Sequence, residues 1–150
     1  MKNLHSDICK MFETDRSELK EICDYYFDGS GKAIRPLIIC AWARALNKHI
    51  AHEYGKVKEE ELSFILKSQR QIALISEMIH VSSLIHDDII DNSDLRRGKT
   101  SVNSQWGCHK AVMAGDYVLA VSSKSLAQLG RIFLDFFVWL RLDLRKLSGD

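Results

Sequence analysis

Asp87, Asp88 and Asp91 sit in the string Asp87-Asp88-Ile89-Ile90-Asp91, which places Asp87 and Asp91 four residues apart. On a helix such a pair shares one face, with side chains about 6 Å apart. Two carboxylates at that range repel, so a working pair needs a cation or a proton. Aspartate oxygens suit a hard ion such as Mg2+, which takes one or two carboxylates and fills its shell with water and substrate phosphates. An acidic pair on a wet helix face is the plain alternative. Asp94, Arg96, Arg97, Gly98 and Lys99 follow at once. Guanidinium forks match phosphate oxygens two at a time, so acids next to these cations fit a metal–diphosphate site. The competing reading is a local ion-pair network, with Asp94 bonded to Arg97. A third cluster, Lys32 and Arg35, comes after Gly29-Ser30-Gly31 and just before Pro36. Cations and free N–H groups at a helix start make an anion site. It is not a P-loop, because the glycine spacing and the Lys-Ser/Thr pair are missing.

These groups must be held by helices. From Leu4 to Phe27 apolar residues recur at helical intervals, with a break near Thr14 to Ser17 where Ser17 can start a second helix. The glycines at 29 and 31 stop that pattern. Leu37 to Leu46 reads as a helix with Pro36 at its first position, and Asn47 to Lys58 as a polar loop. Helix resumes from Glu59. The segment from Gln71 to Asp91 is apolar almost all round, which belongs in the middle of a bundle. One polar stripe runs down it: Ser76, His80, Ser83, Asp87 and Asp91, in steps that keep all five on one face. Such a stripe lines a cavity with charge at its mouth, or else marks a helix leaving the core near His86 with its acids in water. Two anion clusters, an acid pair and a long apolar helix together suit a substrate with a diphosphate head and an apolar tail.

Composition narrows the function classes. The chain has 150 residues, 46% hydrophobic and 27% charged, with a formal net charge of +1. That profile excludes a disordered tail and leaves no overall basic field to attract nucleic acid. One proline and eight glycines favour an all-α fold over a many-turned β sandwich. Cys9, Cys23, Cys40 and Cys108 form no CxxC pair, so reduced thiols are expected. No stretch approaches the ~18 apolar residues of a membrane span.

The string from Tyr25-Tyr26-Phe27-Asp28 through Gly29-Ser30-Gly31-Lys32-Ala33-Ile34-Arg35-Pro36 resembles the trans-type isoprenyl diphosphate synthases. So do Glu77-Met78-Ile79-His80, His86-Asp87-Asp88-Ile89-Ile90-Asp91, Asp94-Leu95-Arg96-Arg97-Gly98-Lys99 and Ala114-Gly115-Asp116-Tyr117. The likeness runs in order from about Leu4 to Gly130 and is nearest to the long-chain, decaprenyl-type branch of animals. It implies an all-α isoprenoid synthase bundle that condenses isopentenyl diphosphate with an allylic prenyl diphosphate, building a long chain for ubiquinone. By that resemblance Asp87 and Asp91 hold Mg2+ on the allylic diphosphate, with Asp88 supporting them. Lys32, Arg35, His80 and Arg97 match isopentenyl diphosphate contacts, and Arg96 an allylic-diphosphate contact. Ser82 and Ser83 match positions that floor the tail cavity, where small residues favour long products. Asp116 reads as a structural hydrogen-bond acceptor.

The resemblance also implies more than twice this length and a second aspartate-rich motif, whereas after Asp116 the only acids are Asp135, Asp143 and Asp150. Residues 1–130 therefore read as the N-terminal part of a synthase domain and 131–150 as a divergent tail. In that tail Phe133, Phe136, Phe137, Leu140, Leu144 and Leu147 trace one helical face among several cations, which fits either a basic amphipathic helix or incidental periodicity. The alternative function is a non-catalytic helical module that binds a full-length synthase subunit; either way a homo- or hetero-oligomer is implied. Family likeness suggests mitochondria, although the first residues are poor as a presequence.

Overall fold

The computed structural model describes residues 4–12, 14–29, 31–54, 67–96 and 98–130. They form six helices and one hairpin: α1 (Leu4–Cys9), α2 (Ser17–Tyr26), α3 (Ile34–Tyr54), α4 (Lys67–Ile90), β1 (Leu95–Arg96), β2 (Lys99–Thr100), α5 (Val102–Trp106) and α6 (Cys108–Ala127). The expected division at Ser17 is present. Thr14 Oγ1 accepts from the Arg16 N–H at 3.2 Å in the turn before α2. Gly29, at φ +88°, takes a left-handed conformation that suits glycine and ends that helical stretch.

α3 departs from expectation at both ends. It begins at Ile34, two residues before Pro36, and runs through Asn47 to Tyr54 where a polar loop was expected. Asn47 explains the extension. Its side-chain amide pairs reciprocally with that of Gln69 on α4, at 2.9 and 2.8 Å. A polar stretch is thus held helical by a neighbour that local composition does not reveal. Residues 55–66, where the resumed helix was expected to start, lie outside the described residues, as do 131–150 with the expected tail.

α4 is the central element, packed on α6, α3, α5 and α1. Its buried residues include Ala73, Leu74, Met78, Val81 and Ile85, covering about half of its circumference at 3.6 residues per turn. The rest of the core includes Ile8, Ile22, Val102 and Val118, each at most 1% exposed. Each such side chain contributes roughly 1.5–3 kcal/mol of burial. The apolar run predicts a helix covered on all sides, yet Ile79 and Ile90 are exposed, at 43% and 76%. On the polar stripe Ser83, Asp87 and Asp91 are exposed and Ser76 and His80 half-buried. Among the described residues the stripe is therefore an open face rather than the lining of an enclosed cavity.

α4 and α6 meet at Gly115. Ser82 Oγ donates to the Gly115 carbonyl at 2.8 Å, and a Cβ built on Gly115 would lie 2.3 Å from His86 Nε2. Only a residue without a side chain lets the imidazole rest there.

Candidate metal–diphosphate site

The C-terminal end of α4 builds the site. Asn92 takes a left-handed φ of +48°, which asparagine tolerates. Its N–H reaches the Ile89 carbonyl at 3.3 Å, and the Ser93 N–H reaches the Asp88 carbonyl at 3.0 Å. This double closure satisfies the last carbonyls of α4 and turns the chain sharply. The chain then enters the β1–β2 hairpin, with Leu95 opposite Thr100 and Arg96 opposite Lys99. Gly98, at φ +76°, supplies the left-handed conformation that the two-residue turn requires. The Ser101 N–H closes the hairpin base on the Asp94 carbonyl at 2.8 Å. The Asp94 carboxylate accepts from Ser104 Oγ at 2.8 Å, which ties this acid to α5.

The three aspartates divide into two kinds. Asp87 and Asp91 are exposed on the same face as His80 and Ser83, and their carboxylates make no hydrogen bond or ion pair with any described residue. Asp88 is fully buried. Its Oδ2 accepts from the Tyr26 hydroxyl at 2.9 Å and its Oδ1 from Arg96 Nε at 2.7 Å. Burial and the bond to Asp88 push the Tyr26 phenol well above the usual tyrosine range, so it remains a donor at neutral pH. Arg96 spends one of its five N–H groups on Asp88, and the other four make no hydrogen bond with a described residue.

The hairpin is fastened to the end of α2 as well. The Tyr25 hydroxyl donates to the Thr100 carbonyl at 2.8 Å, and its ring meets Trp106 edge-on with centroids 5.0 Å apart. Lys99 pairs with Asp28 and lies 5.4 Å from the centre of the Tyr25 ring. The segment leading into the glycine loop is thereby locked to the arginine-bearing hairpin.

Lys32 and Arg35 are exposed at the start of α3 and make no hydrogen bond or ion pair with described residues. Between Lys32 and the helix sits Ala33, half-buried at φ +45°, a left-handed conformation uncommon for a residue with a side chain. His80 is half-buried, and its carbonyl accepts from Ser83 Oγ at 2.8 Å. Ser82 and Ser83, neighbours in sequence, part company: Ser82 is buried against Gly115 and Ser83 is exposed on the aspartate face. Arg97 lies outside the described residues. Asp116 is largely exposed, with Oδ1 3.5 Å from His86 Nε2. Sequence reasoning missed Tyr25 and Tyr26 as supports of the site; the paired tyrosines ahead of the glycines were a signal only in hindsight of their partners.

Among the described residues no group of three or more His, Cys, Asp or Glu side chains converges as a metal cage. Two outward carboxylates on one face are instead the donor set for a hard divalent ion that shares its shell with a ligand.

The family model "Polyprenyl synthetase" matches residues 16–143. The chain is 49% identical over 130 residues to the all trans-polyprenyl-diphosphate synthase PDSS1 of Homo sapiens, covering 87% of this chain and 29% of that protein. It is 33% identical over 159 residues to a probable mitochondrial hexaprenyl pyrophosphate synthase of Neurospora crassa, covering 86% of this chain and 35% of that one. The polyprenyl synthase of Caulobacter crescentus, solved with calcium and isoprenyl diphosphate, shares the fold with a TM-score of 0.67 at 24% identity, over 85% of this chain and 34% of that chain. The chain thus spans about a third of the length of these relatives. The family match over most of its residues, carried on an isoprenoid synthase-type helical fold, places this chain in the polyprenyl synthetase family.

Proposed function

We propose that this chain carries the allylic-diphosphate half of a polyprenyl diphosphate synthase, which lengthens an allylic prenyl diphosphate with isopentenyl diphosphate. The observation that supports the reading most is the division of labour among the aspartates: Asp87 and Asp91 present unneutralised carboxylates on one open face, while Asp88 is neutralised behind them. Exposed acids four residues apart repel by only roughly 0.2–0.5 kcal/mol in water, so both carboxylates stay available, and Asp87 and Asp91 would hold Mg2+. When bound, Mg2+ neutralises charge on the leaving diphosphate.

The chain's own residues do the rest. Arg96 offers N–H donors to allylic phosphate oxygens beside the acid pair, and charge growing on the leaving group strengthens those bonds. Lys32, Arg35, His80 and Arg97 bind the diphosphate of isopentenyl diphosphate. Asp88 and Tyr26 fix the direction of Arg96. Ser83, on the aspartate face, leaves room at the tail side of the acid pair, consistent with a long product, whereas Ser82 is turned to α6. The product serves ubiquinone synthesis, the site of action is mitochondrial, as in the name of the Neurospora crassa relative, and the working form pairs with another synthase subunit.

The test is Mg2+-dependent incorporation of labelled isopentenyl diphosphate by the purified chain, alone and with a full-length synthase subunit. The proposal expects incorporation that Asp87→Ala abolishes. No turnover in either case, with subunit binding intact, would replace it with the non-catalytic module.

A further inference from the structure

At the end of α4 far from the aspartates, α1, the first turns of α4 and the last turns of α6 surround an open cavity of about 720 Å³. That volume falls within the range of small-molecule sites, roughly 300–1,000 Å³. Lys10, Lys67, Arg70 and Lys124 stand on its walls against a single carboxylate, Asp7. Asp7 is already engaged: Oδ2 accepts from Arg70 Nη2 at 2.6 Å, and Oδ1 lies 3.7 Å from Lys10 Nζ. Lys67 and Lys124 pair with no carboxylate among the described residues. Cations from α4, α6 and the turn after α1 thus face one concavity in excess of the acid available to them.

Like charges gathered around a concave wall repel each other and focus a positive field into it, and a bound anion relieves that repulsion. Lysine ammonium groups and an arginine fork together are phosphate-binding chemistry. Met11, Leu74 and Val121 give the same cavity an apolar wall. Gln71 Nε2 donates to the Ser125 carbonyl at 3.3 Å, which ties α4 to α6 beside it.

We infer that this cavity is a second anion site, independent of metal, for a small amphiphilic phosphate ester. Its phosphate sits among Lys67, Arg70 and Lys124, and its apolar part rests on Met11, Leu74 and Val121. Arg70 and Asp87 are 17 positions apart on α4, roughly 25 Å at 1.5 Å per residue. A ligand here does not reach the aspartates, and the inference does not depend on the synthase reading. The same head-group chemistry comes from a soluble isoprenoid phosphate or from a phosphatidic acid head group at a membrane surface.

The 150-residue chain in EDTA is titrated with geranyl phosphate by calorimetry and, separately, sedimented with phosphatidylcholine vesicles containing phosphatidic acid. The expected result is saturable binding in at least one arm, which names the source, weakened at least tenfold by Lys67→Glu with Lys124→Glu and retained in Asp87→Asn. Both lysines are exposed, so the reversal leaves the core alone. Circular dichroism checks this, and Lys67→Gln with Lys124→Gln serves if helix is lost. Binding in neither arm, binding unchanged by the lysine substitutions, or binding lost in Asp87→Asn overturns the inference.

Discussion

The Tyr26 hydroxyl donates to Asp88 Oδ2 at 2.9 Å across 62 residues of sequence. With Arg96 on the other oxygen, this contact makes Asp88 the junction of α2, α4 and the hairpin. Tyr26→Phe removes one donor from a buried carboxylate and is expected to cost about 2 kcal/mol, the range for bonds to charged groups. Urea unfolding measures it. A loss within a few tenths of a kcal/mol would show that Arg96 alone satisfies Asp88.

Asp87 and Asp88 are adjacent, yet their substitutions should differ sharply. Asp88→Ala strands Arg96, whose side chain is only 27% exposed, and is expected to destabilise by about 3 kcal/mol. Asp87→Ala touches an exposed group and should stay within about 0.5 kcal/mol. Equal losses in paired urea titrations would contradict the division between supporting and presented acids.

Gly115→Ala should drive its new methyl into the His86 ring and cost about 1–3 kcal/mol, as overpacking does. His86→Ala in the same chain should return part of that loss. A double-mutant cycle reads the coupling, and strict additivity would mean that the ring swings aside freely.

Alkaline pH should weaken the fold. Burial pushes the Cys9 thiol up to about 11 and the Cys23 thiol to about 12, from an ordinary 9.0, and raises the Tyr26 phenol as well. Above pH 9 the unfolded chain therefore holds fewer protons than the native one, so stability is whole below that pH and falls as pH rises toward 11. The urea midpoint followed from pH 8 to about 11 should drop, and Cys9→Ser with Cys23→Ala should flatten the drop. An unchanged slope would remove the thiols from the explanation.

The sequence made the site legible where chemistry and period coincide. The spacing of His80, Ser83, Asp87 and Asp91 puts them on one face, and they share it. The breaks at Ser17 and Gly29 were equally readable, because capping and glycine chemistry act locally. What stayed hidden depends on distant partners. Nothing near Asp88 in sequence announces Tyr26, and nothing near Asn47 announces Gln69. The hairpin has two residues per strand, too few for any alternation to show. The opposed directions of Ser82 and Ser83 follow from the 100° step of a helix, but only the position of α6 decides which of them is buried.

The most direct test of the account is the Mg2+-dependent part of geranyl diphosphate binding, taken as calorimetric affinity with Mg2+ against that in EDTA. The account predicts that Mg2+ tightens binding to the wild-type chain, and that Asp87→Asn and Asp91→Asn each lose at least tenfold of that gain while keeping their helical content. A gain that survives intact in both variants would contradict it.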